Sequence, residues 1–218
     1  MVCFNPDKKV IFIHLPKCAG ISVETILRKQ FGFISFTFPH SKDNYKFLRD
    51  SRGKIGILRF ILLYSNEAKL YDLNSFKKIT VVRNPYNRCE SAIRYLHKIS
   101  NEGEKFPTNI KEFYYTSLER HYYYMHFCLT QKQSLEDLEG NINIDYICKF
   151  ETLFEDLEYS LFEVCNFDRI EIKRIHVNKT DKEILLLDRN EISELILQLH
   201  KEDFEQFDYS TIDMNLSK

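Results

Sequence analysis

A chain of 218 residues, 44% hydrophobic and 29% charged, has the length of one domain and a globular composition, which disfavours disordered and membrane-spanning classes. Thirty-one Lys plus Arg against 32 Asp plus Glu leave a net charge of -1. No global field draws such a chain to nucleic acid or an acidic membrane, so any anion site must be local.

Only 6 Gly and 5 Pro stand against 13 Tyr and 18 Phe, which predicts a chain dominated by regular elements. Lys9–Leu15 is a short continuous apolar run that suits a parallel strand buried on both faces, stopped by Pro16. Ser22–Phe31 reads as a helix, and Phe33–Phe38 as a second strand. The apolar stretch Lys54–Tyr64 reads as an amphipathic helix that either covers a cleft or forms an oligomer contact. Ile79–Arg83 is a third strand ended by Asn84-Pro85, followed by a helix over Tyr86–Ile99. Ile110–Leu129 reads as one long aromatic helix, Ile142–Phe150 as a fourth strand, Glu151–Cys165 as a helix and Asn190–Phe207 as a closing helix. Strands alternating with helices predict one α/β domain over 1–218, with a P-loop-like central parallel sheet and helices on both faces. Ligands in such sheets bind beyond the carboxyl ends of the strands.

Six cysteines (Cys3, Cys18, Cys89, Cys128, Cys148, Cys165) show neither C-x-x-C nor another metal-ligand spacing, so they read as reduced, mostly buried thiols and no metal is expected. The first residues lack a basic segment followed by an apolar one and a cleavage site. The longest apolar stretch, Ile55–Tyr64, contains Arg59 and is too short to span a bilayer. The expectation is a soluble, cytoplasmic protein.

Two strand ends carry unusual polar sequence. Pro16-Lys17-Cys18-Ala19-Gly20-Ile21-Ser22 lies between a buried strand and a helix. Small residues there let backbone N–H groups turn toward an anion at the helix N-terminus, with Lys17 adding a charge and Ser22 a hydroxyl. It is not a Walker A loop, because Lys17 precedes Gly20 instead of following the glycines. Arg83 stands at the tip of the third strand, where its planar fork suits a phosphate, and Ser91 lies about two turns into the next helix.

These residues resemble the sulfotransferase family, specifically the carbohydrate sulfotransferase branch that uses 3′-phosphoadenosine 5′-phosphosulfate. The match is to a 5′-phosphosulfate loop of the form P-K-x-G-G-T-S, here Pro16–Ser22, and a 3′-phosphate motif V-R-[DN]-P-[YW]-x-R-x-x-S, here Val82–Ser91. It continues into Asp145–Leu153 with Asp156, Val177–Thr180 and Asp203–Tyr209. The resemblance implies the phosphosulfate as donor co-substrate, and a carbohydrate or other hydroxyl-bearing acceptor. Lys17 would sit against the sulfuryl group and bridging oxygen. The loop Cys18, Ala19, Gly20, Ile21 and Ser22 would hold the 5′-phosphate, and Arg83 and Ser91 the 3′-phosphate, with Lys179 capping that region. His40 would be the base taking the acceptor's proton, and Gln131 would lie near the acceptor. Two departures stand out: Ala19 replaces a glycine, which requires a negative φ there, and Ile21 replaces a threonine whose hydroxyl would touch the 5′-phosphate.

Other features read more plainly. Tyr122–Tyr124, flanked by His121 and His126, is either a sugar-stacking surface or partly core. Glu151 opens a helix, where a carboxylate complements the helix dipole. The sequons at Asn178 and Asn215 read as chance matches. Two rival readings use the same anion cradle: a P-loop-type small-molecule kinase, which would need a Mg²⁺-binding acid at a strand end, and an inactive member that binds nucleotide or glycan.

Overall fold

Val10–Ile13 (β2) is buried at every position, and so are the four residues of Val2–Asn5 (β1). Successive strand side chains point to opposite faces, so unbroken burial means that both faces of the sheet are covered. The computed structural model describes residues 2–35, 70–100, 106–137, 139–175 and 187–212. His40, Lys179, the Lys54–Tyr64 segment, Phe36–Phe38 and both sequons lie outside the described residues.

Five strands form one sheet in the order β3-β1-β2-β4-β5, with β3 at Ile34–Ser35, β4 at Lys77–Val82 and β5 at Tyr146–Lys149. The central pairs β2–β4 and β4–β5 are parallel, as the alternation of strands and helices requires. The sheet is mixed, however, because β1 pairs antiparallel with both β2 and β3. Four residues next to the start of the chain gave no strand signal of their own; the tight reversal at Pro6–Lys9 folds them back as a hairpin on β2. The edge strands β3 and β5 are the more exposed ones.

Helix α1 spans Gly20–Gln30 and buries Val23, Ile26 and Leu27 in the core around the sheet. Helix α2, Pro85–Ile99, starts where the sequence indicates: Pro85 occupies the first turn and the Asn84 side chain accepts hydrogen bonds from the Tyr86 and Asn87 N–H groups. Its apolar stripe, including Tyr86, Ile93 and Leu96, meets a second core.

The single helix expected over Ile110–Leu129 is in fact broken. Helix α3 covers Ile110–Glu119, Arg120 leaves the helical region at φ -91 and ψ 108, and a helical turn at His121–Tyr123 runs into a π-helix at Tyr124–Cys128. Each π turn inserts one residue, which re-aims the aromatic side chains that follow. A short helix α4 at Gln131–Leu135 comes next, opened by a Thr130–Gln133 capping box. The segment after β5 is also heterogeneous: a 3₁₀ turn at Phe150–Thr152, helix α5 at Leu153–Tyr159 and a π-helix at Ser160–Val164. The closing helix divides at the fully buried His200 into α6, Arg189–Leu199, and α7, Lys201–Gln206. No helix among the described residues is long and apolar enough to cross a membrane.

Phe127 centres the second core, edge-on to Phe113 at 4.9 Å between ring centroids. Phe127→Ala is expected to lower unfolding free energy by about 3–5 kcal/mol, read from the midpoint of urea denaturation at unchanged slope.

Candidate active site

Because β2 and β4 run parallel, their carboxyl ends emerge side by side, and the two polar segments meet there. The loop after β2 is tightly wound. Lys17 and Ala19 hold left-handed backbones, φ 68 and φ 60, on either side of Cys18. Alternating handedness turns successive N–H groups to one side and makes a concavity for an anion. The N–H groups of Ala19, Gly20 and Ile21 have no partner among the described residues, and α1 has no side-chain cap. Ala19 therefore does not keep the negative φ that its lack of glycine freedom requires; the loop imposes a left-handed residue that costs roughly 1–2 kcal/mol for a Cβ-bearing side chain. Gly20 is needed for a different reason, since a Cβ there would overlap the His14 ring. That ring is fixed from its other edge, with Nδ1 3.1 Å from Glu24 Oε1. Ile21 projects outward, 40% exposed, whereas Ser22 is buried.

Arg83 leaves the end of β4 with its guanidinium 4.1 Å above the Phe150 ring and donates from Nη1 to the Lys17 carbonyl at 3.2 Å. Its Nε is buried without a hydrogen-bond partner. Lys17 sends its Nζ 3.9 Å over the Tyr95 ring. Burial, helped by the nearby Arg83 charge, lowers the Lys17 pKa to about 8, and burial likewise pulls Arg83 below its ordinary value. Neither cation has a carboxylate at ion-pair distance among the described residues. Two adjacent, partly desolvated cations and three N–H groups, all without such partners among the described residues, can together receive an anion.

Ser91 lies half-buried on α2, and Cys18 is fully buried, its Sγ 3.2 Å from Gln131 Oε1. Cys18 thus contributes backbone to the loop and no exposed thiol. Gln131 is also sealed, 1% exposed, and clamps the Arg83 main chain: Oε1 accepts the Arg83 N–H at 2.8 Å and Nε2 donates to its carbonyl at 2.9 Å. The resemblance puts Gln131 near the acceptor, but its burial makes it a positioning residue for the anion loop. Asp203 holds it in turn by accepting the Gln131 N–H at 2.9 Å.

Arg88, quoted in the motif without a role, is buried and donates to the carbonyls of Pro16, His126 and Leu129. It ties the loop after β2 to the π-helix. Glu151 does more than complement a helix dipole, since it accepts from the Asn84 N–H and the Tyr209 hydroxyl, both at 3.0 Å. Of the tyrosine run, Tyr123 belongs to the core, whereas Tyr122 packs beside His126 with ring centroids 4.4 Å apart. His126 shares the Tyr95 ring as a neighbour with Lys17, a placement that only the π-helix reveals.

An α/β sheet with a cationic, N–H-lined loop at adjacent carboxyl ends has the architecture of a protein that takes an anionic ligand at that edge. The family model described as "Sulfotransferase family" matches residues 1–210, and the chain belongs to that family. It is thus a sulfotransferase, working between a sulfonate donor and an acceptor substrate. No curated protein and no solved structure matches the chain.

Ala19→Gly is expected to stabilise the protein by about 0.5–1 kcal/mol in urea unfolding, because relief of the left-handed strain exceeds the added entropy of the unfolded chain. A lysine with a folded pKa of about 8 and an ordinary value of 10.5 binds fewer protons folded than unfolded between those limits. The contribution of Lys17 to stability therefore rises with pH across that window, read as a difference in unfolding free energy between wild type and Lys17→Met that shifts in favour of the wild type as pH increases.

Proposed function

We propose that the chain transfers the sulfuryl group of 3′-phosphoadenosine 5′-phosphosulfate to a hydroxyl of a carbohydrate acceptor. The reading rests on one observation: Lys17 and Arg83 converge, with no counterion among the described residues, around N–H groups of Ala19, Gly20 and Ile21 that have no partner there either. The donor supplies an activated sulfuryl group on a phosphate leaving group, flanked by a second phosphate. The residues fit its charge pattern, since the donor set is cationic and N–H-rich throughout and the Arg83 guanidinium keeps a buried donor unused.

In this reading the loop Cys18–Ser22 cradles the 5′-phosphate through its backbone. Lys17 stabilises the negative charge that develops on the leaving oxygen as the sulfur–oxygen bond breaks. Arg83 and Ser91, with Lys179, bind the 3′-phosphate and so fix the nucleotide's direction in the cleft. Catalysis is then mainly positioning and electrostatics, as in phosphoryl transfer. The carbohydrate acceptor rests on family resemblance together with the aromatic surface beside Lys17.

The test is thermal unfolding with 3′-phosphoadenosine 5′-phosphate. At a hundredfold excess over Kd the ligand adds about 2.7 kcal/mol, a rise of roughly 5–10 °C for a protein of this size. Arg83→Ala should abolish the rise. A rise with ATP and magnesium but none with the bisphosphate would replace this reading with a kinase.

A further inference from the structure

The π-helix brings one more group to the site. His126 is half-buried, with its ring 5.3 Å from the Tyr95 ring, the same ring that carries Lys17 Nζ on its face. Its Nδ1 lies 2.9 Å from the Tyr122 carbonyl, an oxygen that can only accept, so Nδ1 bears the proton and Nε2 carries the free lone pair. No hydrogen bond among the described residues occupies Nε2. Tyr95 and Tyr122 brace the ring, their hydroxyls joined at 2.7 Å. Arg88 donates to the His126 carbonyl and to Pro16 of the loop, so imidazole and loop hang from one guanidinium.

We infer that His126 Nε2 is the proton acceptor of the transfer reaction, on a ring that shares Tyr95 as a neighbour with Lys17, in the role that the resemblance implies for His40. The inference rests on the donor reading above. The acceptor's O–H proton passes to Nε2 as its oxygen forms the new O–S bond. The old S–O bond breaks with its electron pair going to the 5′-phosphate, whose charge Lys17 offsets. The imidazolium then releases its proton to solvent, so atoms and charge balance without a further reactant.

The electrostatics are consistent with this geometry. Burial pushes the His126 pKa down to about 4, against the raising effect of the Tyr122 carbonyl, and the charges of Lys17 and Arg88, with His14, lower it further. The ring is therefore neutral at pH 7. An anionic nucleotide placed on Lys17 opposes that cationic field and makes the imidazole a better base when the donor is bound. A neutral side chain locked in one tautomer loses little in reorganisation when the proton arrives.

Histidine ring proton NMR, with the His126 signal assigned by its loss in His126→Gln, tests the assignment together with release of 3′-phosphoadenosine 5′-phosphate from the phosphosulfate in water or methyl glucoside. The His126 signal should titrate near pH 4 in the free protein and move up by about one unit on saturation with the bisphosphate. His126→Gln should retain the bisphosphate-induced thermal shift yet lose turnover by about 10²–10⁴-fold, with the acid limb of the pH–rate profile gone. Turnover within threefold of wild type in His126→Gln, or a His126 signal indifferent to bound nucleotide, overturns the assignment. If neither acceptor supports turnover in the wild type, the nucleotide response of the signal decides. Failure of the bisphosphate to stabilise the wild type removes the donor reading itself, an outcome separate from an unresponsive His126 in a protein that binds.

Discussion

The parallel pairing of β2 with β4 is the constraint on which the rest of the site depends. The register sets Ile13 opposite Thr80, and the Thr80 hydroxyl donates to the Ile13 carbonyl at 2.8 Å in a fully buried position. One strand leaves this point toward Lys17 and the other toward Arg83. An antiparallel pairing would have sent the two cations to opposite ends of the strands. A slip of one residue would turn every side chain on β4 to the other face. The convergence of charge is thus a consequence of backbone geometry, and core packing on both faces maintains it.

Two buried polar side chains convert that rough convergence into a defined site. Gln131 extends the ladder beyond β4 by giving the Arg83 main chain the donor and acceptor of a further strand residue. Arg88 spans the loop and the end of the π-helix through carbonyls alone, with one nitrogen, Nη1, left unbonded. Carbonyl dipoles fix the position of a guanidinium without cancelling its charge, so Arg88 stays part of the cationic field. The neighbouring carboxylates already have hydrogen-bond donors: Asp203 accepts from backbone N–H groups of α4, and Glu151 from Asn84 and Tyr209. Free energy that simple ion pairing would have gained is left for a ligand.

The parallel strands, α1 and α2 were legible because continuous apolar runs and helix-start residues such as Asn84-Pro85 are local signals. Lys17 and Arg83 were legible for the same reason, being tied to strand ends that sequence marks clearly. Three features were not. Strand β1 is a hairpin partner whose four residues carry no distinctive pattern. The π-helix at Tyr124–Cys128 continues an aromatic run that helical periodicity alone extends without interruption, so the placement of His126 beside the Tyr95 ring could not be read. The left-handed Ala19 contradicts a propensity rule, because the loop's demand for turned N–H groups outweighs a local strain of about 1–2 kcal/mol. Tertiary demands overrode local preference at all three, and two of these three positions line the site.

A thiol in a loop at a strand end, close to Arg83 and Arg88, would ordinarily be activated as a thiolate. Cys18 is the opposite case. Burial pushes its pKa up to about 12 despite those cations, and Gln131 engages the sulfur. At neutral pH the thiol is therefore held in its protonated, unreactive form. A thiol that is both buried and held protonated is a poor target for alkylating reagents and peroxide, so the loop after β2 carries a cysteine without acquiring its redox sensitivity.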